Sequence, residues 1–255
     1  MGKDIFSGPD VQGYRKLFGV IGPATNTIVQ PDFDDLRVSG VTNHYSRIPN
    51  ANADAISNET FDAGVAEIGE LTEVAARGVL ACEPDYLVMG MSAVTFYGGK
   101  SGGEKFKAEL KDISGLDASI GSESLVSALN AYGGIKKIAF VSPYYPTANT
   151  QVTRYVGDFG YEVVRDVPLR CPTWTAIARV QEDTLREVLL ELDGDDVDAI
   201  CQVGTNLSMI RLAAEMEQIL EKPVIAINTA TYWHALRNNG IDDQLAGFGR
   251  LMSDF

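Results

Sequence analysis

Short apolar runs rich in β-forming residues alternate with longer amphipathic stretches along this chain, and the alternation occurs twice in the same order. Parallel strands need long crossover connections, usually helices, so this pattern is typical of βαβ units and a mostly parallel sheet. The runs interpreted as strands are Leu17–Gly22, Arg37–Tyr45, Asp85–Met89 and Ala118–Ile120 in the first half, and Lys137–Ser142, Tyr161–Val167, Asp198–Val203 and Pro223–Ile227 in the second.

The loops after these strands repeat their chemistry as well as their order. Pro23–Thr27 follows the first strand, and Pro143–Thr150 follows its counterpart in the second half. Any doubly wound protein alternates strands and helices, but matching order together with matching loop chemistry favours internal duplication. We therefore expect an α/β fold of two pseudo-twofold-related, Rossmann-like (flavodoxin-like) lobes, each with a mostly four-stranded parallel sheet. The first lobe would comprise residues 1–118 and 229–255, and the second lobe residues 119–228.

The amphipathic stretches predict the outer helices. Lys105–Ile113 is predicted to be helical, whereas Lys100–Gly103 before it is predicted to be a flexible loop because it is rich in glycine. A helix around Tyr232–Arg237 is expected to return to the first lobe. Glu59–Ala81 has helical spacing. Its predicted buried face consists of Val65, Ile68, Leu71, Val74 and Ala75.

The charge of the chain restricts its partners. Thirty-five acidic residues against 21 Lys and Arg give a net charge of −14. Nucleic-acid binding needs a concentrated positive surface, which argues against such a partner, while helix N-termini can still hold a small anion. No apolar stretch is long enough to span a bilayer, and the first 16 residues lack the apolar core of a signal peptide. These features predict a cytoplasmic protein with no membrane partner, and homo-oligomer formation stays open.

Sequence motifs for cofactors, metals and hydrolase triads are absent. The first strand is not followed by G-x-G-x-x-G, and there is neither a Walker loop nor a G-x-S-x-G elbow. His44 and His234 are too isolated to predict a metal site. Cys82, Cys171 and Cys201 are odd in number and widely spaced, so they predict neither a disulfide framework nor a zinc site. We expect chemistry that needs no cofactor and no metal.

Hydroxyl and amide side chains recur at the predicted carboxyl ends of the strands. Ligands of open parallel sheets bind at this edge, where helix N-termini add positive potential. Helix capping is the better explanation for any single residue, but recurrence in both halves favours a polar, donor-rich cleft. Two such loop clusters facing each other across a cleft would suit a small molecule with two carboxylates. The residues are Thr25, Asn26, Thr27, Ser92, Thr95, Ser122, Ser124, Tyr144, Thr147, Asn149, Thr205, Asn206, Asn228, Thr229 and Thr231.

Several of these loops resemble those of a known family. Gly19–Thr27 is similar to the opening of the maleate cis–trans isomerases, and Met89–Ser92 is similar to a loop of the arylmalonate decarboxylases. Val141–Tyr144 matches a further strand end, and Trp174–Arg179 matches a segment that lines the apolar side of the pocket. From about Phe18 onward, the chain resembles the maleate cis–trans isomerase and arylmalonate decarboxylase branch of the aspartate/glutamate racemase superfamily.

This resemblance implies an enzyme that converts a small mono- or dicarboxylic acid through an enolate or enediolate, without a cofactor. It implies catalytic roles for the hydroxyl groups of Ser92 and Tyr144, and an apolar pocket side that includes Trp174 and Ile177. The other substrate-binding residues that it implies are Thr25, Asn26, Gly90, Met91, Gly204, Thr205 and Asn206.

The superfamily usually carries catalytic cysteines at the ends of the two central strands. An ungapped comparison places Gly90 and Gly204 at these positions, and the decarboxylase branch has glycine at the first of them. Cys201 lies three residues before Gly204, so a local shift could bring its thiol into the site. The alternative is a buried strand residue, since free cysteine commonly packs as a small hydrophobe. Cys201, Tyr144 and a bound water are therefore the candidate proton donors.

Decarboxylation, racemisation and cis–trans isomerisation are all compatible with this pattern. Two alternatives from other classes stay open. One is a cysteine-independent lyase or hydrolase that uses the same cleft, and the other is a catalytically inactive protein that binds a small acid.

Overall fold

The computed structural model describes residues 8–255. The first seven residues, part of the stretch searched above for a signal peptide, lie outside the described residues. In the first half, parallel strands alternate with helices in the order β1 (Lys16–Pro23), α1 (Val29–Asp35), β2 (Val41–Ile48), α2 (Asn58–Val79), β3 (Tyr86–Met89), α3 (Ala93–Phe96), α4 (Gly99–Ser114), β4 (Ala118–Ser119) and α5 (Gly121–Tyr132).

The second half follows the same plan. Its elements are β5 (Lys137–Ser142), α6 (Pro146–Gly157), β6 (Glu162–Pro168), α7 (Glu182–Leu192), β7 (Ala199–Gln202), α8 (Ile210–Leu220), β8 (Val224–Ala226), α9 (Ile227–Asn238) and α10 (Arg250–Asp254).

Two four-stranded sheets carry the repeat. Their strand orders are β2-β1-β3-β4 and β6-β5-β7-β8, so each strand of the second sheet takes the place of the strand four earlier in the chain. All pairings within both sheets are parallel. The predicted α/β fold with two related four-stranded lobes is confirmed.

Burial explains why these runs form central strands. β3, β5 and β7 are buried along almost their whole length, as expected for parallel strands covered by helices on both faces. The edge strands β2 and β6 are mostly half-buried and carry more polar residues. The central strands are therefore fixed in the apolar core, which also fixes where the loops at their carboxyl ends begin.

Two predictions about the helices of the first half were wrong. Lys100–Gly103 is not a loop but part of the first turn of α4, where Asp158 accepts a hydrogen bond of 2.8 Å from the Lys100 N–H. Glycine is needed at Gly102, because a Cβ there would lie 1.9 Å from the Tyr97 carbonyl oxygen. Val74 is 58% exposed. It lies six residues after Ile68, about 240° around the helix, and so falls off the buried stripe.

The last long helix connects the two halves. α9 begins directly after β8 and packs against α1, β3 and β4 of the first half, as well as against α5. In the described part of the chain, residues 8–255, no helix has the length and apolar character needed to cross a membrane.

Candidate active site

A pocket of about 390 Å³ lies where the carboxyl ends of strands from both sheets meet. Loops after β1, β3, β5 and β7 all contribute to it, together with the segment after β6. The lining residues are Pro23, Thr25, Asn26, Ile68, Met91, Ser92, Ala93, Pro143, Tyr144, Trp174, Ile177, Gly204, Thr205 and Asn206. All the site residues that the family resemblance implied line this pocket, apart from Gly90 and Cys201. The remaining strand-end residues of the predicted polar cleft do not line it; these are Thr27, Thr95, Ser122, Ser124, Thr147, Asn149, Asn228, Thr229 and Thr231.

The Ser92 and Tyr144 side chains form one hydrogen-bonded pair in the pocket. Their oxygens are 2.8 Å apart, and Ser92 Oγ also accepts from the Gly204 N–H at 3.2 Å. Burial raises the pKa of the Tyr144 hydroxyl well above its usual range, so Tyr144 stays protonated at neutral pH. The pair has two hydroxyl hydrogens, and only one of them is needed for the hydrogen bond between the two oxygens. The other hydroxyl hydrogen is free to donate to a ligand.

The backbone around Ser92 fits tightly. A Cβ at Gly121 would lie 2.8 Å from Ser92 Cβ, so only glycine lets the start of α5 approach this loop. Thr95 Oγ1 donates to the Ser92 carbonyl at 2.7 Å and accepts from the Ser122 N–H at 3.1 Å. The start of α5 therefore packs against the Ser92 loop and fixes the position of Ser92 in the pocket.

A second pair joins Asn26 and Thr205. Asn26 Nδ2 donates to Thr205 Oγ1 at 3.1 Å, while its Oδ1 accepts from the backbone N–H groups of Ile28 and Val29 at the start of α1. Thr205 Oγ1 in turn donates to the Gly90 carbonyl at 2.9 Å. The Thr205 hydroxyl is thus fully used within the protein, and Asn26 keeps one amide hydrogen that it can donate.

The two pairs are related by the repeat. Asn26 follows β1 and contacts the loop after β7, while Tyr144 follows β5 and contacts the loop after β3. Because β5 and β7 take the places of β1 and β3 in the second sheet, the two pairs cross the cleft as pseudo-twofold counterparts. Each lobe therefore holds one pocket residue of the other lobe.

Asn206 acts as a connector between loops. Its Oδ1 accepts from the Thr27 N–H at 3.0 Å, and its Nδ2 donates to the Trp174 carbonyl at 3.0 Å. The side chain was suggested as a substrate ligand, but both of its ends are occupied by backbone groups. Its contribution to the pocket is the position of the loops and its own backbone.

Backbone donors complete the site. Within residues 8–255, the N–H groups of Met91, Ser92, Thr205 and Asn206 have no protein acceptor, although each of these residues is at most 6% exposed. Buried N–H groups are nearly always paired. Four unpaired groups in residues that line one pocket therefore indicate a place for an anion, which would accept hydrogen bonds from both lobes.

An apolar wall faces these donors. Ile68, Met91, Trp174 and Ile177 line it. The Trp174 ring packs on Phe61, with a centroid distance of 5.2 Å. A Cβ at residue 64 of α2 would lie 2.5 Å from the Trp174 ring, so the glycine there provides the space for it.

Two loops from opposite lobes meet beside this wall. Asn52 donates to Thr175 Oγ1 and accepts from the Thr175 N–H, both at 3.0 Å, and Asp54 pairs with Thr173 in an antiparallel bridge. These contacts connect the Trp174 segment to the opposite lobe.

Gly204 cannot be replaced by a residue with a side chain in this backbone. Its φ angle is +105°, and a Cβ would lie 2.3 Å from Pro143 Cδ. Gly90 is also constrained, since a Cβ there would lie 2.9 Å from Val29 Cγ1 and 3.1 Å from the Ile21 carbonyl oxygen. Gly90 does not line the pocket, and its carbonyl instead accepts the Thr205 hydroxyl.

Cys201 is not brought to the pocket. It lies inside β7 with no exposed surface, and it pairs with Phe140 of β5 and Ile225 of β8. Burial raises the pKa of its thiol to about 12. No cysteine is among the pocket-lining residues in the described part of the chain. Cys201 therefore lies where the alternative interpretation of the sequence placed it, as a buried residue of a strand.

The thiols should differ sharply in reactivity. Cys82 is exposed, although partial burial also raises the pKa of its thiol. Cys171 and Cys201 are buried, which raises their pKa values to about 11 and about 12. Because the thiolate is the nucleophile, we expect iodoacetamide at pH 8 to label Cys82 alone in the folded protein and all three cysteines after denaturation. Peptide mass spectrometry reads this out, with Cys82→Ala as the unlabelled control. Labelling of Cys201 as fast as Cys82 in the folded protein would contradict the buried position.

Some lining residues carried no signal of their own in the sequence. Pro23 ends β1 and Pro143 directly follows β5, so the two prolines occupy equivalent places in the two halves. The repeat in the sequence already indicated this equivalence. Ile68 was assigned only to the buried face of a helix, because no pattern separates a pocket wall from a core. Gln202 lies in β7 and supports the site from behind, since its amide donates to the Gly204 carbonyl at 2.7 Å.

Comparison with known proteins agrees with this geometry. Maleate isomerase of Geobacillus stearothermophilus is 28% identical over 122 residues, which make up 47% of this chain and 48% of that protein. The aligned stretch therefore spans about half the length of this curated relative.

Two solved structures share the fold over nearly the whole chain. One is the maleate cis–trans isomerase of Nocardia farcinica, in a cysteine-to-serine variant with a covalently bound succinylcysteine intermediate. It has a TM-score of 0.84 at 18% identity and covers 94% of this chain and 99% of that one. The other is arylmalonate decarboxylase, with a TM-score of 0.72 at 19% identity, covering 92% of this chain and 98% of that one.

Two lobes with matching sheets and a pocket between their strand ends define the two-lobed α/β class to which these structures belong. A family model of arylmalonate decarboxylase matches residues 38–252. This chain belongs to the arylmalonate decarboxylase family.

Proposed function

We propose that this protein is a cofactor-independent enzyme of the isomerase or decarboxylase type. It acts on a small mono- or dicarboxylic acid through an enolate or enediolate. The observation that carries the proposal is the set of buried donors in the pocket, four backbone N–H groups and the Ser92–Tyr144 hydroxyl pair. Family membership and the similarity to maleate isomerase support the same chemistry.

The donors suit charge that develops on a carboxylate. When a bond at the carbon next to a carboxylate breaks and leaves its electron pair behind, that pair spreads onto the carboxylate oxygens as an enediolate. Donors aimed at those oxygens bind the enediolate more tightly than the ground state, and one such donor typically contributes about 3 kcal/mol. The free hydroxyl hydrogen of the Ser92–Tyr144 pair and the N–H groups of Thr205 and Asn206 would act in this way.

The apolar wall would hold the rest of the substrate. Ile68, Trp174 and Ile177 offer no polar side-chain group that can bond a second carboxylate, apart from the Trp174 ring N–H. An apolar side binds an alkyl or aryl substituent, or a carboxylate that must lose its hydration before it leaves as carbon dioxide. Substrates with one carboxylate bound by these donors and a less polar group against the apolar wall fit this arrangement best.

The proton must reach the α-carbon from a group other than a cysteine at the ends of the central strands. Gly90 and Gly204 occupy those positions, and Cys201 is buried in the sheet. We assign proton delivery to Tyr144, or to a water molecule that it orients. When Tyr144 gives its own proton to the α-carbon, the Ser92 hydroxyl donates to the resulting tyrosinate, the backbone N–H groups of Thr205 and Asn206 hold the carboxylate, and solvent returns a proton to Tyr144. Tyrosine is protonated at neutral pH, and burial raises the pKa of Tyr144 further.

We also propose a cytoplasmic location. Cys82, Cys171 and Cys201 are all unpaired, as is usual where thiols are kept reduced.

A turnover panel followed by ¹H NMR in deuterated buffer tests the proposed function. Maleate, 2-phenylmalonate and L-aspartate are each incubated with the protein, because isomerisation, decarboxylation and α-proton exchange give different spectra. We expect conversion or α-deuteration of at least one of the three, which is lost in a Ser92→Ala, Tyr144→Phe double variant. Three spectra that remain unchanged at high protein concentration would contradict the proposal.

A further inference from the structure

A buried carboxyl group behind the pocket has no part in the chemistry proposed above. Asp32 lies in α1 and is only 6% exposed. No cation contacts it in the described part of the chain. The charges that face it are Asp35 of its own helix and Arg211 of α8, and these two form an ion pair with each other at 2.7 Å. Acidic residues are almost never buried without a charged partner, so this position needs an explanation.

Asn228 is the partner of Asp32. From the start of α9, its Nδ2 donates to Asp32 Oδ2 at 2.7 Å and to the Thr205 carbonyl at 3.0 Å. Its Oδ1 is buried and has no partner within residues 8–255. The two acceptors alone therefore determine how this amide is oriented. The bond to Asp32 is the shorter of the two, and it is charge-assisted when Asp32 is ionised.

The chain of contacts ends in the pocket. The Thr205 carbonyl accepts a hydrogen bond from the Asn228 amide. The Thr205 hydroxyl accepts one from the Asn26 amide and donates one to the Gly90 carbonyl. The Thr205 carbonyl shares a planar peptide with the Asn206 N–H, which is one of the unpaired donors of the site. We infer that Asp32 is a positioning residue that acts through Asn228 and the Thr205 carbonyl to hold the Asn206 N–H where a carboxylate binds. The statement about the carboxylate rests on the proposed function, whereas the mechanical link from Asp32 to Thr205 does not.

The protein keeps this acid although ionisation costs stability. Burial is the main cause that raises the pKa of Asp32, the Asn228 bond lowers it, Asp35 raises it and Arg211 lowers it, and together they bring the pKa to about 7. A carboxyl whose pKa is raised in the folded state loses stability as pH increases from its unfolded value near 4 to about 7. Asp32→Asn removes that loss and keeps an oxygen acceptor, so it should raise Tm over the parent more at pH 8 than at pH 5.

Hydrogen–deuterium exchange without any ligand tests the link itself. The Leu207 N–H, which bonds the Gly204 carbonyl, reports on the loop that contains Thr205. We expect Asp32→Ala and Asn228→Ala each to speed exchange at this amide by about 3- to 10-fold, the effect of losing roughly one hydrogen bond. Exchange of the Leu207 amide in the double variant should be no faster than in the Asn228→Ala single variant. Asp32→Asn should restore exchange to within about 2-fold of the parent.

Asp35→Asn is the matched control, because this exposed acid lies on the same helix and does not contact Asn228. It should leave exchange at Leu207 unchanged. Unchanged exchange in Asp32→Ala, or additive effects in the double variant, would overturn the inference. Should Asp32→Ala fail to fold, Asp32→Thr takes its place in the cycle.

Turnover separates the inference from the proposed function. With a substrate from the panel above, Asp32→Ala should lower kcat/KM by about 10-fold while Asp32→Asn recovers most of it, as expected for a lost donor contact to bound substrate. If the parent converts none of the three acids but the exchange cycle holds, the proposed function fails and the link stands. If the parent is active and Asp32→Ala is equally active, the inference fails and the proposed function stands.

Discussion

Tyr144→Phe is expected to lower kcat/KM for the active substrate by about 10²- to 10³-fold, the usual effect of removing one oxyanion donor. Tyr144 is 3% exposed, and within residues 8–255 its hydroxyl has one hydrogen-bond partner, Ser92 at 2.8 Å. The change removes no carbon, so the fold should lose only about 1 kcal/mol for the hydrogen bond. Steady-state kinetics and thermal unfolding together measure the two effects.

Tyr145→Phe is the matched control for that substitution. Tyr145 is the next residue and also packs on Phe61, with a centroid distance of 6.0 Å, but it does not line the pocket. It should keep the rate of the parent. Equal rates for Tyr144→Phe and the parent would show that the hydroxyl pair takes no part in the reaction.

Gly204→Cys is expected to destabilise the protein by about 2–6 kcal/mol, and not to supply a working thiol. Adopting a positive φ costs a residue with a side chain about 1–3 kcal/mol, and overpacking adds about 1–3 kcal/mol. Here φ is +105°, and the new Cβ would lie 2.3 Å from Pro143. Chemical denaturation gives the loss of stability, and the turnover panel gives the activity.

Gly247→Ala separates the two causes. Gly247 has a φ of +89°, but a Cβ there meets nothing within 4 Å, so it reports the cost of the backbone angle alone. The difference between Gly204→Ala and Gly247→Ala then isolates the contact with Pro143. A Gly204→Cys variant as stable as the parent, with faster turnover, would contradict the account of this strand end.

The fold was largely predictable from the sequence because its signals are local. Central parallel strands are buried on both faces, so β3, β5 and β7 appear as uninterrupted apolar runs that a sequence pattern detects. The repeat of element order and loop chemistry then predicted that the second half folds like the first. The errors arose where neighbouring elements override composition. Lys100–Gly103 is helical, and Asp158, which directly follows α6, accepts the Lys100 N–H in the first turn of α4.

The site was predictable as a set of loops but not as a set of contacts. Hydroxyl and amide residues after parallel strands identify the edge of the sheet where a ligand binds. Their partners depend on how the two lobes face each other, and no sequence pattern contains that relation. Thr205 and Asn206 therefore looked like substrate ligands, although their side chains hold the loops together. Asp32 was not suggested at all, since a single acid in a short helix usually faces solvent.

A crystal structure with bound malonate tests the central claim most directly, because the claim concerns where a carboxylate sits. One carboxylate should lie within about 3 Å of the free hydroxyl of the Ser92–Tyr144 pair and of the Thr205 N–H, at normal hydrogen-bond distance. The remainder of the ligand should face Trp174 and Ile177. Malonate bound only outside this pocket, or in it without contact to either Ser92 or Tyr144, would contradict the account.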